Sequence, residues 1–594
     1  MKRIASTFML LLLAACAAHD ATKIVSIVSA GSPGGGSIRG FVTTGGNPLP
    51  GATVTLSAPA VAARTVVTDV NGKYVFANLS PATYTLRYEL AGLNTVTRSV
   101  ALSAPAIVQA NADLRPSAVA EAITVTASSP AFFETQEVHR FLPIKENGFI
   151  ATSKDASTTF AIDVDRASYA YVRSYLAEDE LPPPDAVRIE EMVNYFTYHY
   201  APPSDGRPFA VSSEVVGCPW EPAHRLVRIG IQGRQIEQWR QEPNNLVFLI
   251  DVSGSMESPE SLPLVVSGLH LLVDQLRAED SVAIVVYAGA AGLVLPPTSG
   301  ADKATIVNAL AKLEAGGSTA GGEGIELAYK VARDNFKEHG NNRVILATDG
   351  DFNVGVSDVE SLQKLIEEKR ETGVYLTCIG VGGEGINDAL MKTLSVKGNG
   401  NYAYLDSLAE AKKVFVKELG GTLVTIAKDV KVQLEFNPQL VSSYRQIGYE
   451  TRALANADFH DDAKDAGELG SGHSVTALYE IVPARAATGR IATLRLRYKE
   501  PKSVRSSLIE STISDEGKSA FDASPDTQFA AAVAEFGMLL RDSKYKGNAT
   551  FADALALARA MRGEDFEGYR EELLRMIETS KTLSDEAAKV ALKD

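Results

Sequence analysis

The sequence predicts a multidomain chain of α/β plus β type. A doubly wound α/β domain is inserted in a β-rich platform, preceded by a small β-sandwich and followed by a helical C-terminal region. Three observations carry this. Four near-continuous apolar runs, Leu246–Ile250, Val282–Tyr287, Val344–Ala347 and Val374–Val381, alternate with segments of helical spacing, the pattern of parallel strands buried on both faces. Short strands punctuated by Gly, Pro and Asn turns fill residues 37–115. Strand-like runs also stand before and after the central domain. Lone hairpins are marginal in water, so these runs are expected to pair with each other across it. At 594 residues the chain has room for three or four modules of about 100–200 residues each.

Lys2 and Arg3 precede a short apolar run from Phe8 to Ala15. A bilayer span needs about 20 apolar residues, so this run reads as the core of a signal peptide. It ends in Leu13-Ala14-Ala15-Cys16, which resembles a bacterial lipobox. The resemblance implies cleavage before Cys16 and acylation of that cysteine, giving residues 1–16 as signal peptide and a lipid anchor in the cell envelope. Ala17 stands where an Asp would signal inner-membrane retention, so the outer membrane is the expected location. Residues 17–36 read as a tether. The other two cysteines, Cys218 and Cys378, are expected to be free thiols, Cys378 as a small buried hydrophobe.

From 37 to 115, strands are expected at Ile38–Val42, Ala52–Leu56, Thr65–Thr68, Tyr74–Phe76 and Tyr84–Tyr88. The phrases Pro48–Leu56, Thr68–Phe76 and Leu79–Leu86 resemble the carboxypeptidase regulatory-like domain, with Ala82 where glycine is usual. The resemblance implies a transthyretin-like sandwich and no peptidase activity. Residues 116–146 read as a second linker. Residues 147–241 are mixed: a strand at Thr158–Asp163, then helices through Tyr169–Leu176 and toward Met192, expected to be capped by Asp165 and Asp185. The α/β domain occupies 242–425. Residues 426–594 carry strands at Val430–Phe436, Ser474–Ile481 and Ile491–Leu496, then helix from Asp526 to Leu583 with Gly563 as a stop.

The chemistry lies in Leu246-Val-Phe-Leu-Ile-Asp251-Val-Ser253-Gly-Ser255, followed by Gly316-Gly-Ser-Thr319 and Ile345-Leu-Ala-Thr-Asp349-Gly. These three pieces, in this order, resemble the Rossmann-like von Willebrand factor type A (VWA) domain and its metal-ion-dependent adhesion site. The resemblance implies a divalent metal, Mg²⁺ with Mn²⁺ or Ca²⁺ as alternatives, at Asp251, Ser253, Ser255, Thr319 and Asp349. Mg²⁺ takes hard oxygens in octahedral geometry and keeps some waters. Hydroxyls of Ser253, Ser255 and Thr319 supply such oxygens without charge, and Asp251 and Asp349 act through waters. An open position then attracts an Asp or Glu of a partner protein. Further segments, Phe160–Tyr169, Leu181–Tyr195, Asp465–Glu468 and Gly472–Glu480, resemble the flanks of bacterial YfbK-type VWA lipoproteins.

Other signals are weaker. Gly380-Val-Gly382-Gly-Glu-Gly385 matches a dinucleotide pattern with Asp406 about 20 residues on, but it follows a late strand of a sheet whose first strand already ends in the metal loop, and no nucleotide is expected. Asp458, Asp461, Asp462, Asp465 and Glu468 form an acidic run without EF-hand spacing, read as a solvated loop. The eight histidines form no HExxH, and no Walker loop or nucleophile elbow is present. A formal net charge of -15 argues against nucleic acid as a partner. The reading is a metal-dependent, protein-binding envelope lipoprotein and not an enzyme. A metal-assisted hydrolase and a spacer with a fold-stabilising metal are the alternatives.

Overall fold

The computed structural model describes residues 36–44, 47–58, 61–69, 71–90, 95–102, 107–114, 141–162, 165–237, 241–288, 291–316, 321–350, 359–383, 386–418, 424–464, 466–484 and 488–591. The chain divides into two compact units, Met1–Phe132 and Phe133–Asp594.

The first unit is a sandwich. One sheet runs Val61–Val67, Thr53–Ala58, Ala82–Glu89 and Val96–Leu102 in spatial order. The other centres on Gly36–Thr44, paired with Lys73–Leu79 and in parallel with Ile107–Gln109 and Ala112–Asp113. Alternation along the strands sends Ile38, Val54, Leu56, Phe76, Leu86 and Tyr88 into a shared core. The hydroxyls of Tyr74 and Tyr88 meet at 2.7 Å inside it, and Tyr74 also donates to the Ala110 carbonyl at 2.5 Å.

The second unit holds the α/β domain. Its six-stranded sheet runs Ala291–Ser299, Ser281–Tyr287, Asn244–Asp251, Asn341–Thr348, Tyr375–Val381 and Tyr402–Leu405. All pairs are parallel except the antiparallel edge strand Ala291–Ser299. Every residue of Asn244–Asp251 is buried, as its unbroken apolar run requires. Helices cover both faces. Helix Gly321–Asp334 comes close because Gly324 has no side chain: a Cβ there would lie 2.9 Å from the Tyr287 Cβ. The edge strand was not evident in sequence because Pro296 and Pro297 interrupt it; prolines are tolerated there because it is an edge.

The strands on either side of this domain pair with each other. One antiparallel sheet runs Ile150–Ala151, Val441–Ile447, Ser474–Pro483, Arg225–Gly233 and Phe209–Gly217. A second runs Ala453–Leu454, Ser157–Ala161, Thr425–Phe436, Gly489–Lys499 and Ser506–Asp515. Both mix strands from before and after the α/β domain, so that domain is an insertion. Phe160, Val227, Ile229, Val432, Tyr479 and Leu494 lie in the platform core. A separate core gathers Tyr169, Trp220 and Phe529 with the C-terminal helices Pro525–Leu540, Phe551–Ala560 and Tyr569–Ala591. Among the described residues no helix is long and apolar enough to cross a membrane.

Two expected caps are corrected. Helix Ala167–Ala177 has Arg166 at its N-cap with no side-chain cap bond. Asp165 is instead fully buried; it accepts from the Tyr402 amide at 2.9 Å and from Arg452 at 3.0 Å. Asp185 accepts from the Ile144 amide at 2.8 Å, and helix Ile189–Val193 begins after Arg188 without a side-chain cap. In both cases a tertiary partner outcompetes the local turn. Cys218 and Cys378 are buried free thiols, as expected.

Candidate metal centre

Asp251 ends the strand Asn244–Asp251, which is flanked by Ser281–Tyr287 on one side and Asn341–Thr348 on the other. The order in which successive strands are added to the sheet switches sides here, and open α/β sheets bind ligands in the crevice at this point, beyond the carboxyl ends of the strands. The Asp251 carboxylate is completely buried and held by three donors. Its Oδ1 accepts from the Ser253 amide at 2.9 Å; its Oδ2 accepts from the Thr348 hydroxyl at 2.9 Å and the Tyr287 hydroxyl at 3.1 Å. Burial pushes the Asp251 carboxyl above its ordinary value, the Ser253 and Thr348 bonds oppose this, and the negative charge of Asp349 adds to it. The Tyr287 hydroxyl is pushed up too, by burial and then by the Asp251 charge.

Ser253 follows, almost wholly buried, with its Oγ 3.0 Å from that of the exposed Ser255. Adjacent ligands of an Mg²⁺ octahedron with bonds of 2.0–2.1 Å are separated by about 3 Å, so this hydroxyl pair has the spacing of two neighbouring ligands. Asp349 lies one residue past the end of Asn341–Thr348 and is half-buried. Gly350 next to it has φ of 91°, and a Cβ there would come 2.5 Å from the Asn387 amide nitrogen. The loop that carries Asp349 therefore rests directly on backbone. Thr319 lies outside the described residues; the Gly316 amide just before it donates to the Val252 carbonyl at 2.7 Å, so the chain leaves for that loop from beside Ser253.

Four of the five residues singled out in sequence, Asp251, Ser253, Ser255 and Asp349, thus stand on the carboxyl ends of two adjacent strands. The donors fit a hard divalent cation: two acids, one of them buried at a cost, and two hydroxyls at ligand spacing. Among the described residues no group of three or more His, Cys, Asp or Glu side chains is placed to hold a metal elsewhere. Sequence reasoning missed Thr348 and Tyr287, which orient Asp251. The available signal was their position, each at the last residue of a strand that neighbours Asp251.

The weaker signals have structural explanations. Gly382 has φ of 84°, its amide donates to the Glu260 carbonyl at 3.1 Å, and a Cβ there would lie 2.9 Å from Ser261 Oγ. The Gly-rich phrase thus lets the late strand end against the segment after the metal loop. Asp406 is engaged by Arg173 at 2.6 Å. In the acidic run, Asp462 pairs with Arg497 at 3.0 Å, and the carbonyls of Asp458 and Asp461 accept from Lys431.

Fold and site together define a von Willebrand factor type A domain held in a β-rich frame. The chain matches the family of that description at residues 245–417, the carboxypeptidase regulatory-like domain at 37–115, a von Willebrand factor family at 135–228, and the family described as uncharacterized protein YfbK, C-terminal, at 421–491 and 484–583. The protein described as "Uncharacterized protein YfbK" from Escherichia coli (strain K12) is 41% identical over 472 residues, which is 75% of this chain and 82% of that protein. The chain belongs to the YfbK family. Uncharacterized protein sll0103 of Synechocystis is 24% identical over 48% of this chain and 69% of its own length. Among solved structures, a von Willebrand factor type A protein from Catenulispora acidiphila matches with 18% identity over 63% of this chain and 90% of that one, at a TM-score of 0.38.

Proposed function

We propose that this chain is a metal-dependent, protein-binding member of the bacterial cell envelope, and that its VWA domain captures an acidic side chain of a partner. The observation that carries the reading is the Asp251 carboxylate, buried at the sheet's switch point beside the Ser253–Ser255 hydroxyl pair. Ser253, Ser255 and Thr319 would hold Mg²⁺ directly, and Asp251 and Asp349 would hold it through water. Bound there, the cation supplies a positive charge that a carboxylate can meet. Uncharged hydroxyl ligands leave that charge largely unquenched, which favours a charged protein ligand. The chain's own residues do the rest: Thr348 and Tyr287 fix the Asp251 rotamer, and Gly350 fixes the Asp349 loop. Binding is preferred over hydrolysis because the Asp251 carboxylate beside the hydroxyl pair is buried and already accepts from the Ser253 amide, Thr348 and Tyr287, which leaves it poorly placed to take a proton from a substrate. Acylation at Cys16 would tether the protein to the membrane, the outer membrane by its Ala17.

Calorimetric titration of Mg²⁺ into the chain and into Asp251→Asn tests the metal site; at least a tenfold loss of affinity is expected in the variant. Equal affinity would remove the site from consideration. Capture from envelope extracts with and without EDTA tests the partner. A protein retained only with metal, and only by unsubstituted chain, is expected; retention indifferent to both would leave the metal a structural role.

A further inference from the structure

We propose that a cavity at the opposite edge of the α/β sheet binds a small oxyanion, with Arg343 as its principal ligand. The cavity, of about 210 Å³, lies between the amino-terminal edge of that sheet and the β platform, and is lined by Arg343, Arg452, Glu468, His473, Asn399 and Asn401. Arg343 sits near the start of strand Asn341–Thr348, roughly 20 Å along the strand from Asp349 at 3.3 Å per residue. The cavity is therefore no part of the metal centre.

Arg343 is 2% exposed. Its Nη1 donates to the neutral Thr377 hydroxyl at 2.7 Å, and its Nε has no hydrogen-bond partner. Among the described residues no carboxylate lies within ion-pair distance of it. An isolated buried charge is costly, and an anion in the adjoining cavity would offset that cost. His473 lines the same cavity.

Of the nearby acids, Glu468 acts on Arg343 through its charge and offsets the cost of burial only in part. Glu468 accepts from the Thr425 hydroxyl at 2.8 Å, and burial pushes its carboxyl up to about 7. Asp165, beside the neighbouring Arg452 at 3.0 Å, is shared with Lys392 at 3.4 Å. Burial, and then the charge of Arg166, lowers the His473 ring to about 4, so it is neutral and adds no charge to the cavity. Arg452 is thus paired, and among the described residues Arg343 is left as a cation of this polar space without an ion pair. At about 30 Å³ per water the space holds roughly seven waters, or one anion of phosphate or acetate size with a few waters. A guanidinium's planar fork matches such oxyanions.

The test is calorimetric titration of inorganic phosphate, and separately of acetate, into the full chain without Mg²⁺. At least one anion is expected to bind at one per chain, with affinity reduced tenfold or more in Arg343→Gln. Lys330→Ala, which removes an exposed cation of the same domain, is expected to change nothing. Absence of binding by both anions, or equal binding by Arg343→Gln, overturns the proposal; the first outcome means water alone fills the cavity and the second that the anion adsorbs elsewhere. If circular dichroism shows Arg343→Gln unfolded, Arg343→Lys takes its place: it keeps the charge but loses the fork. Weaker binding in that variant supports the site, and unchanged binding overturns it.

Discussion

Arg188 offers the sharpest test of how the inserted domain is held. Its guanidinium is 1% exposed, and its Nη1 and Nη2 donate to both oxygens of Asp388 at 2.9 and 2.8 Å, while its Nε donates to Glu191 at 2.5 Å. Asp388, fully buried, opens helix Asp388–Lys397 of the α/β domain; Arg188 and Glu191 belong to the flank. Lys392 of that helix pairs with Glu191 and reaches Asp165 at 3.4 Å, and Arg452 of the platform reaches Asp165 at 3.0 Å. The cluster is neutral, with cations Arg188, Lys392 and Arg452 against anions Asp388, Glu191 and Asp165. Burial works against the Glu191 anion, yet Arg188 and Lys392 hold its carboxyl down to about 2. Burial already pushes the Asp388 carboxyl up with Arg188 beside it. Arg188→Met strands Asp388 without its cation, and breaking such a buried pair costs about 3–5 kcal/mol. The double variant Arg188→Met/Asp388→Leu recovers most of that loss, because the uncompensated charge is gone. Urea unfolding followed by circular dichroism measures the parent, both single variants and the double variant. A loss below about 1 kcal/mol for the single variant, or a double variant as unstable as the summed singles, would refute the reasoning.

Two further outcomes follow from buried groups. Glu535 on helix Pro525–Leu540 is 2% exposed, and burial, then the charge of Asp553, raises its carboxyl from 4.5 to about 7. A raised folded value means its favourable contribution is complete below pH 4.5 and is lost as pH rises to about 7. Glu535→Gln is therefore expected to be more stable than the parent above pH 7, by on the order of 3 kcal/mol, and equal to it near pH 4; melting temperatures that differ by the same amount at both pH values would sink this. Cys218 and Cys378 are buried and free, and burial pushes both thiols up. Neither is expected to react with a disulfide reagent in the native protein, and both are expected to react in denaturant; native labelling at either would contradict the packing.

Long-range features were legible in sequence wherever one physical signal dominated. The four apolar runs located four strands of the central sheet because burial on both faces leaves little choice of residue. The candidate site was legible as a cluster because Asp251, Ser253, Ser255 and Asp349 lie at or just past the ends of those strands. Tyr402–Leu405, with only four residues, carries too little pattern to distinguish it from a loop. Val441–Ile447 and Ser506–Asp515 are polar on one face and acquire strand character from their neighbours in the platform. Asp165 and Asp185 have the local chemistry of caps, and only tertiary structure reveals that Arg452 and the Ile144 amide claim them. Thr348 and Tyr287 converge on Asp251 through sheet registry, where Asp251 lies opposite Tyr287, and no linear motif records that.

The same registry explains why the flanks and the inserted domain form one body. Gly350, beside the second acid of the candidate metal centre, leans on Ile386 and Asn387. The Asn387 side chain caps the following helix by accepting from the Leu390 amide at 3.0 Å, and the next residue, Asp388, is the one that Arg188 grips. Three contacts thus connect the loop of Asp349 to the flank, each between buried or backbone groups that have little freedom to shift. An isolated α/β domain would lose Arg188, and Asp388 would lose the partner that fixes it in place. Holding the second acid in place is therefore a property of the domain together with its frame. This gives a physical reason for the strands on both sides of the insertion to close around it.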